Sequence, residues 1–154
     1  MTRQPSKRGP ATARPVVVLC GFMGTGKTAV GQILAASLGV PFLDTDEMIE
    51  AKSGATIAEI FARDGEARFR ELETQACAAL DARDGAVIAT GGGILLDAEN
   101  ARRLESLGTL VLLEASLDAI LARTEGTARP LLAAGRRDAT LRERVMQILE
   151  ERRP

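Results

Sequence analysis

Residues 16–28 read Val16-Val17-Val18-Leu19-Cys20-Gly21-Phe22-Met23-Gly24-Thr25-Gly26-Lys27-Thr28, an apolar run passing directly into a complete G-x-x-x-x-G-K-[ST] phosphate-binding loop. The run predicts a buried strand, and the octapeptide after it predicts a turn that wraps a polyphosphate and opens a helix. Glycine is needed there because the backbone must take positive φ and bring its N–H groups close to phosphate oxygens. Lys27 supplies a point charge at the β and γ phosphates, and Thr28 offers a hydroxyl to Mg²⁺. The helix starting at this point aims its positive dipole end at the anion. Gly24, Thr25, Gly26, Lys27, Thr28 and Ala29 are therefore the candidate nucleotide contacts. The plain alternative is a glycine-rich turn at a strand end. With three lysines in the chain, a chance match to the full pattern is on the order of one percent or less.

Around this loop, apolar strand-like runs alternate with helical periodicity, which predicts an α/β domain with a parallel sheet. Ala29, Val30, Ile33, Leu34 and Leu38 recur at helical spacing until Gly39 and Pro41 stop the helix. Pro41-Phe42-Leu43 predicts a second strand, and Ala86-Val87-Ile88-Ala89 a third. The capping box Thr56-Ile57-Ala58-Glu59 opens a helix near Ile60 and Phe61, with a longer one from about Glu66 to Ala82. Asp97 caps a helix that Gly108 ends, ahead of a fourth strand, Thr109–Leu113. Ser116–Arg123 is helical, and Thr140-Leu141-Arg142-Glu143 is a second capping box.

A chain of 154 residues with 45% hydrophobic content suits one well-buried core, so residues 15–154 form one domain. Residues 1–14 hold Arg3, Lys7, Arg8 and Arg14 without an acid, and read as a disordered basic leader. Against an overall charge of −1, the remaining body then carries about −5. An acidic body argues against nucleic-acid binding. No apolar run approaches the length of a membrane helix, and the leader lacks the apolar segment of a secretory signal. Cys20 and Cys77 have neither metal nor redox spacing and read as small apolar residues in a reducing cytoplasm.

Ligands of an open parallel sheet collect beyond the carboxyl ends of its strands. The first strand is followed by the phosphate loop, the second by Asp44-Thr45-Asp46 and the third by Gly91-Gly92-Gly93. Two carboxylates one residue apart can divide labour, one holding the metal's water shell and the other handling a substrate hydroxyl. An acid after a strand also serves as a helix cap. Three N–H groups at a strand end offer a surface for substrate oxygens, although a glycine run also makes a plain flexible turn. Arg70 follows Phe69 in a helical stretch where most charges face water, and Phe61 and Phe69 either wall a pocket or fill the core. Arg129 lies in a Gly-, Arg- and Ala-rich segment suited to a lid, whereas Arg136 and Arg137 read as solvated.

These segments, in this order, resemble shikimate kinase from Val16 to the end of the chain. Gly-Phe-Met-Gly-Thr-Gly-Lys-Thr, Phe-Leu-Asp-Thr-Asp, Gly-Glu-Ala-Arg-Phe-Arg-Glu-Leu-Glu, Ala-Thr-Gly-Gly-Gly and Arg-Pro-Leu-Leu all stand at that family's approximate spacings. The resemblance implies a three-layer α/β/α P-loop fold and ATP-dependent phosphorylation of the 3-hydroxyl of shikimate, a step toward aromatic amino acids. It implies that Lys27 and Thr28 handle phosphate and Mg²⁺, Asp44 the metal's water shell, and Asp46 the acceptor hydroxyl. By the same resemblance Arg70, held by Glu73, binds the shikimate carboxylate, and Gly91, Gly92 and Gly93 contact the ring. Arg123 and Arg129 serve the nucleotide and γ-phosphate, and Arg152 is the second carboxylate arginine. Lys27, Asp46 and Arg129 are the implied catalytic set, in a cytoplasmic monomer.

The resembling family continues past the arginine-rich end of the last helix with a further strand and helix that reach the adenine. The resemblance therefore implies four strands here with a fifth missing, weakened base recognition and some self-association. A gluconate kinase would share the loop and lid but would not pair the D-x-D with Phe69-Arg70 and the triple glycine. An inactive nucleotide-binding module would keep the loop and lose turnover. A regulatory GTPase would need an N-K-x-D guanine motif, which is absent, and a histidine base is excluded because the chain has no histidine.

Overall fold

The computed structural model describes residues 14–124 and 140–151. The leader up to residue 13, the segment 125–139 with Arg129, Arg136 and Arg137, and the final three residues with Arg152 lie outside the described residues. The elements are β1 (Val16–Cys20), α1 (Lys27–Leu38), β2 (Phe42–Asp44), α2 (Thr45–Ser53), α3 (Ile57–Ala79), β3 (Ala86–Ala89), α4 (Ala98–Leu107), β4 (Thr109–Leu112), α5 (Leu117–Thr124) and α6 (Leu141–Glu151). A single 3-10 turn, Ile94–Leu96, follows the triple glycine.

The four strands form one sheet in the order β2-β3-β1-β4, with every pairing parallel. Val18 stands opposite Ile88 on one side and Leu110 on the other. Alternation along each strand serves two cores. Val18, Cys20 and Ile88 pack with Cys77 of α3 and Leu104 of α4. Leu19 and Val87 point to the opposite face, against Ala35 of α1 and Val40. Coverage on both faces explains why β1 and β3 read as unbroken apolar runs rather than alternating ones. Both cysteines are free and buried, as small apolar residues would be. No helix among the described residues is long and apolar enough to cross a membrane.

β4 pairs with β1 alone among the described residues, and its Val111 and Leu112 are exposed. The apolar stretch Leu110–Leu113 thus lies at the edge of the described sheet rather than between two strands.

Local signals set most helix ends as expected. At Thr56 the backbone N–H donates to Glu59 Oε2 at 2.7 Å, while Glu59 N–H donates back to Thr56 Oγ1 at 3.2 Å. The same reciprocal pair joins Thr140 and Glu143. In both boxes the threonine's backbone N–H, then its hydroxyl, holds the glutamate carboxyl below its ordinary pKa. Asp97 accepts from the N–H groups of Glu99 and Asn100, both at 2.9 Å. α3 is broken at Gly65, whose φ of 80° and ψ of 177° suit only glycine, so its two halves match the two helices read from the sequence. Its second half stops at Ala79, short of Ala82, where Arg103 of α4 donates to the carbonyls of Cys77 and Ala78.

Gly108, between α4 and β4, has no room for a side chain. A Cβ there would collide with the Val16 carbonyl oxygen and lie 2.6 Å from Val16 Cβ. Its φ of 178° is ordinary extended backbone, so the constraint is purely steric. Gly108→Ala is expected to destabilise the domain by about 1–3 kcal/mol, the usual cost of overpacking, read as a lower urea midpoint at unchanged m-value.

Candidate functional site

Three glycines of the phosphate loop adopt positive φ: Gly21 at 139°, Gly24 at 79° and Gly26 at 97°. The side chains between them anchor the loop. Phe22 and Met23 are buried in a cluster with Ile120 of α5 and Val145 of α6. Thr25 is buried, and its hydroxyl donates to the Phe22 carbonyl at 2.8 Å. From α5, Arg123 Nη1 donates to the Gly24 carbonyl at 2.9 Å. Lys27 Nζ donates to the carbonyls of Gly21 at 2.7 Å and Phe22 at 3.0 Å, which holds the ammonium within the curve of the loop. Thr28 and Ala29 follow on the exposed first turn of α1.

Asp44 joins this loop to the second strand. Its Oδ2 accepts from Thr28 Oγ1 at 3.1 Å and its Oδ1 from the Asp46 N–H at 3.0 Å. The cap reading of the D-x-D is realised at Asp44, the N-cap of α2, whose carboxylate also faces the threonine of the phosphate loop. The short helix α2 was not anticipated from the sequence.

On the far side of Asp46 stand Gly91, Glu73 and Arg70. Glu73 is 1% exposed, and its Oε2 accepts from Arg70 Nη1 at 2.6 Å. Arg70 Nη2 donates to Glu66 Oε1 at 2.9 Å. Burial pulls the Arg70 pKa down, but its hydrogen bonds and attraction to Glu73, then Glu66, outweigh that and raise it. Glu66 as second partner of this guanidinium was missed at the sequence level, although the i,i+4 spacing carries the signal. A Cβ on Gly91 would lie 2.6 Å from Glu73 Oε1 and 2.9 Å from Asp46 Oδ1. One on Gly93 would lie 2.5 Å from Arg70 Nη1. The glycine loop is therefore packed directly onto the carboxylates and the arginine.

That packing corrects one expectation. The triple glycine does not offer three exposed N–H groups: Gly91 and Gly93 are buried, and the Gly91 N–H donates to Thr45 Oγ1 at 2.9 Å. Glycine is required here for close approach of side chains rather than for exposure. The two phenylalanines resolve toward the core. Phe69 is buried among Ile49, Ile60 and Leu72, with the Phe61 ring 4.8 Å from its own. Arg70 Cζ lies 5.6 Å from the Phe69 ring centre, so the ring backs the guanidinium.

A cavity of about 610 Å³ adjoins this constellation. It touches the site through Gly21, Gly91 and Gly92, runs past Leu95 and Leu96 to Leu112 and Leu149, and includes neither Asp46 nor Arg70 in its wall. Burial pushes the thiol of Cys20, one of the lining residues, above the ordinary pKa, against smaller opposing effects of Thr90 and Lys27. No group of three or more His, Cys, Asp or Glu side chains capable of caging a metal occurs among the described residues.

Comparison with known proteins adds to this geometry. The sequence matches the shikimate kinase family over residues 23–154. It is 43% identical over 139 residues to the shikimate kinase of Thermodesulfovibrio yellowstonii, covering 90% of this chain and 78% of that protein. With the shikimate kinase of Cereibacter sphaeroides it shares 45% identity over 153 residues, covering 99% of this chain and 75% of the relative. The fold is similar to that of shikimate kinase from Acinetobacter baumannii, solved in complex with shikimate, with a TM-score of 0.82 and 40% identity over 90% of this chain and 75% of the other. Shikimate kinase from Bacteroides thetaiotaomicron superposes with a TM-score of 0.79 at 36% identity, over 90% of this chain and 79% of that one. This chain thus spans about three quarters of the length of these relatives, and it belongs to the shikimate kinase family.

Proposed function

We propose that the chain transfers the γ-phosphoryl group of ATP to the 3-hydroxyl of shikimate in the cytoplasm, where ATP is supplied. The observation that carries this reading is the bridge from Thr28 through Asp44 to Asp46, which sets a nucleotide loop beside an arginine-glutamate pair suited to a small carboxylate. Gly24 to Ala29 wrap the phosphates through main-chain N–H groups, and Lys27 turns from the loop carbonyls toward the β and γ oxygens. Asp46 takes the proton of the acceptor hydroxyl as its oxygen bonds to the γ-phosphorus and the bond to the ADP oxygen breaks. Arg70 forks onto the carboxylate, with Glu73 and Glu66 fixing its plane. Gly91 to Gly93 shape the pocket for the ring. Arg123 and Arg129 serve the nucleotide, Arg129 reaching the γ-phosphate, and Arg152 is the second carboxylate arginine.

Mg²⁺ fits the donors present. A threonine hydroxyl and a carboxylate 3.1 Å apart are hard oxygen groups, and Mg²⁺ characteristically takes few protein oxygens and completes its shell with water and phosphate. Thr28 would hold it directly and Asp44 through water. When bound, it neutralises charge on the transferring phosphoryl group.

The reading is tested by coupled ADP release with shikimate, with gluconate and without acceptor. Release is expected with shikimate alone. In the same assay Arg70→Lys is expected to raise the KM for shikimate about 10- to 100-fold, the scale of a charged hydrogen bond, while the KM for ATP stays within a few-fold. Equal losses for both substrates would remove Arg70 from the acceptor site.

A further inference from the structure

The middle residue of the D-x-D segment has a role of its own. Thr45 is fully buried at the first position of α2. Helix capping does not explain its hydroxyl, because the cap is the Asp44 carboxylate. The hydroxyl instead accepts from the Gly91 N–H at 2.9 Å, joining the end of the second strand to the loop after the third. Both partners border the acceptor groups. Thr45 directly precedes Asp46, and the Cβ position that Gly91 leaves empty lies 2.6 Å from Glu73 Oε1 and 2.9 Å from Asp46 Oδ1. Glu73 in turn grips Arg70 at 2.6 Å. The hydrogen bond therefore sets the spacing between the carboxylate at the hydroxyl and the guanidinium at the carboxylate. A shift of Gly91 along it would press the backbone into one or both acidic side chains.

We propose that Thr45 is a positioning residue for the acceptor half of the site: its hydroxyl pins Gly91 so that Asp46 and the Glu73–Arg70 pair keep their relative placement. The proposal rests on the shikimate kinase reading. It assigns Thr45 no contact with either substrate and no part in the phosphate loop, whose own anchors are Phe22, Thr25 and Arg123.

Thr45→Val keeps the β-branched shape and removes the acceptor, leaving the Gly91 N–H without this partner. Because about 1 Å of misplacement costs about 100-fold in rate, the variant is expected to lose about 10- to 100-fold in kcat. Its KM for shikimate should rise, while the KM for ATP and the half-saturating Mg²⁺ concentration stay within about 2-fold of wild type. Thr45→Ser, which retains the hydroxyl, is expected to return kcat and the shikimate KM to within about 3-fold. If Thr45→Val does not fold, Thr45→Ser and Thr45→Ala decide, since both lack the methyl group and only serine keeps the hydroxyl. Serine near wild type with an acceptor-selective loss in alanine supports the proposal, and like behaviour of the two overturns it. A folded Thr45→Val enzyme with unchanged kcat and shikimate KM, or with equal losses for shikimate and ATP, also overturns it. Wild-type protein that releases no ADP with shikimate would instead refute the functional reading, and the role of Thr45 with it.

Discussion

Asp46→Asn is expected to lower turnover with shikimate by about two to four orders of magnitude, the usual scale for removing a general base. The substitution is isosteric, and the backbone link from the residue 46 N–H to Asp44 Oδ1 does not involve the altered side chain. The cap of α2 and the bridge to Thr28 therefore remain, and the loss falls on proton acceptance. Saturating both substrates isolates this from binding, since an interaction made only in the transition state lowers kcat and kcat/KM together. Unaltered turnover at saturation would exclude Asp46 from the proton transfer.

The second large effect is expected at Gly91→Ala. Its added methyl would sit 2.6 Å from Glu73 Oε1 and 2.9 Å from Asp46 Oδ1, two buried oxygens, well inside van der Waals contact. The backbone does not forbid alanine, because Gly91 is absent from the glycines with positive φ. The conflict is with the Asp46 and Glu73 side chains. Displacing Asp46 by about 1 Å costs about 100-fold in kcat, and swinging Glu73 away disturbs its hold on Arg70, raising the shikimate KM. Steady-state kinetics in both substrates would show the loss on the acceptor side, with the ATP KM within a few-fold. A Gly91→Ala enzyme with wild-type constants would mean that the carboxylates relax freely.

Much of this site was legible because its parts are local. The phosphate loop and both capping boxes each lie within a few residues of sequence, where spacing dictates geometry, whereas the pair Arg70 and Glu73 at i,i+3 is implied by the family resemblance. α2 escaped notice although its markers are present: Asp46 and Glu47 in the first turn, Lys52 in the last, and Gly54 left-handed after the end. β2 is only three residues long, and Asp44 is at once its last residue and the helix cap, so strand and helix leave no loop between them. The contact between Thr45 and Gly91 has no local signature, because strand pairing across the sheet creates it. Likewise Phe22 and Met23 occupy unspecified positions of the loop pattern, yet their burial against α5 and α6 fixes the loop's outer face. The turn of Lys27 onto the loop carbonyls reflects a choice among rotamers that sequence does not encode.

The strand order has a consequence for how the protein comes into being. β1, which ends in the phosphate loop, pairs with β3 from residue 86 onward and with β4 from residue 109 onward, and among the described residues with nothing nearer along the chain. The most recognisable octapeptide of the sequence is therefore made early on the ribosome and shaped late. Its support is assembled only after the strand ending at Leu112 has emerged and docked, and parallel pairings across such separations are slow steps in a folding reaction. Nucleotide binding is thus tied to closure of the central sheet, and the bound nucleotide in turn draws the folding equilibrium toward the closed sheet by mass action.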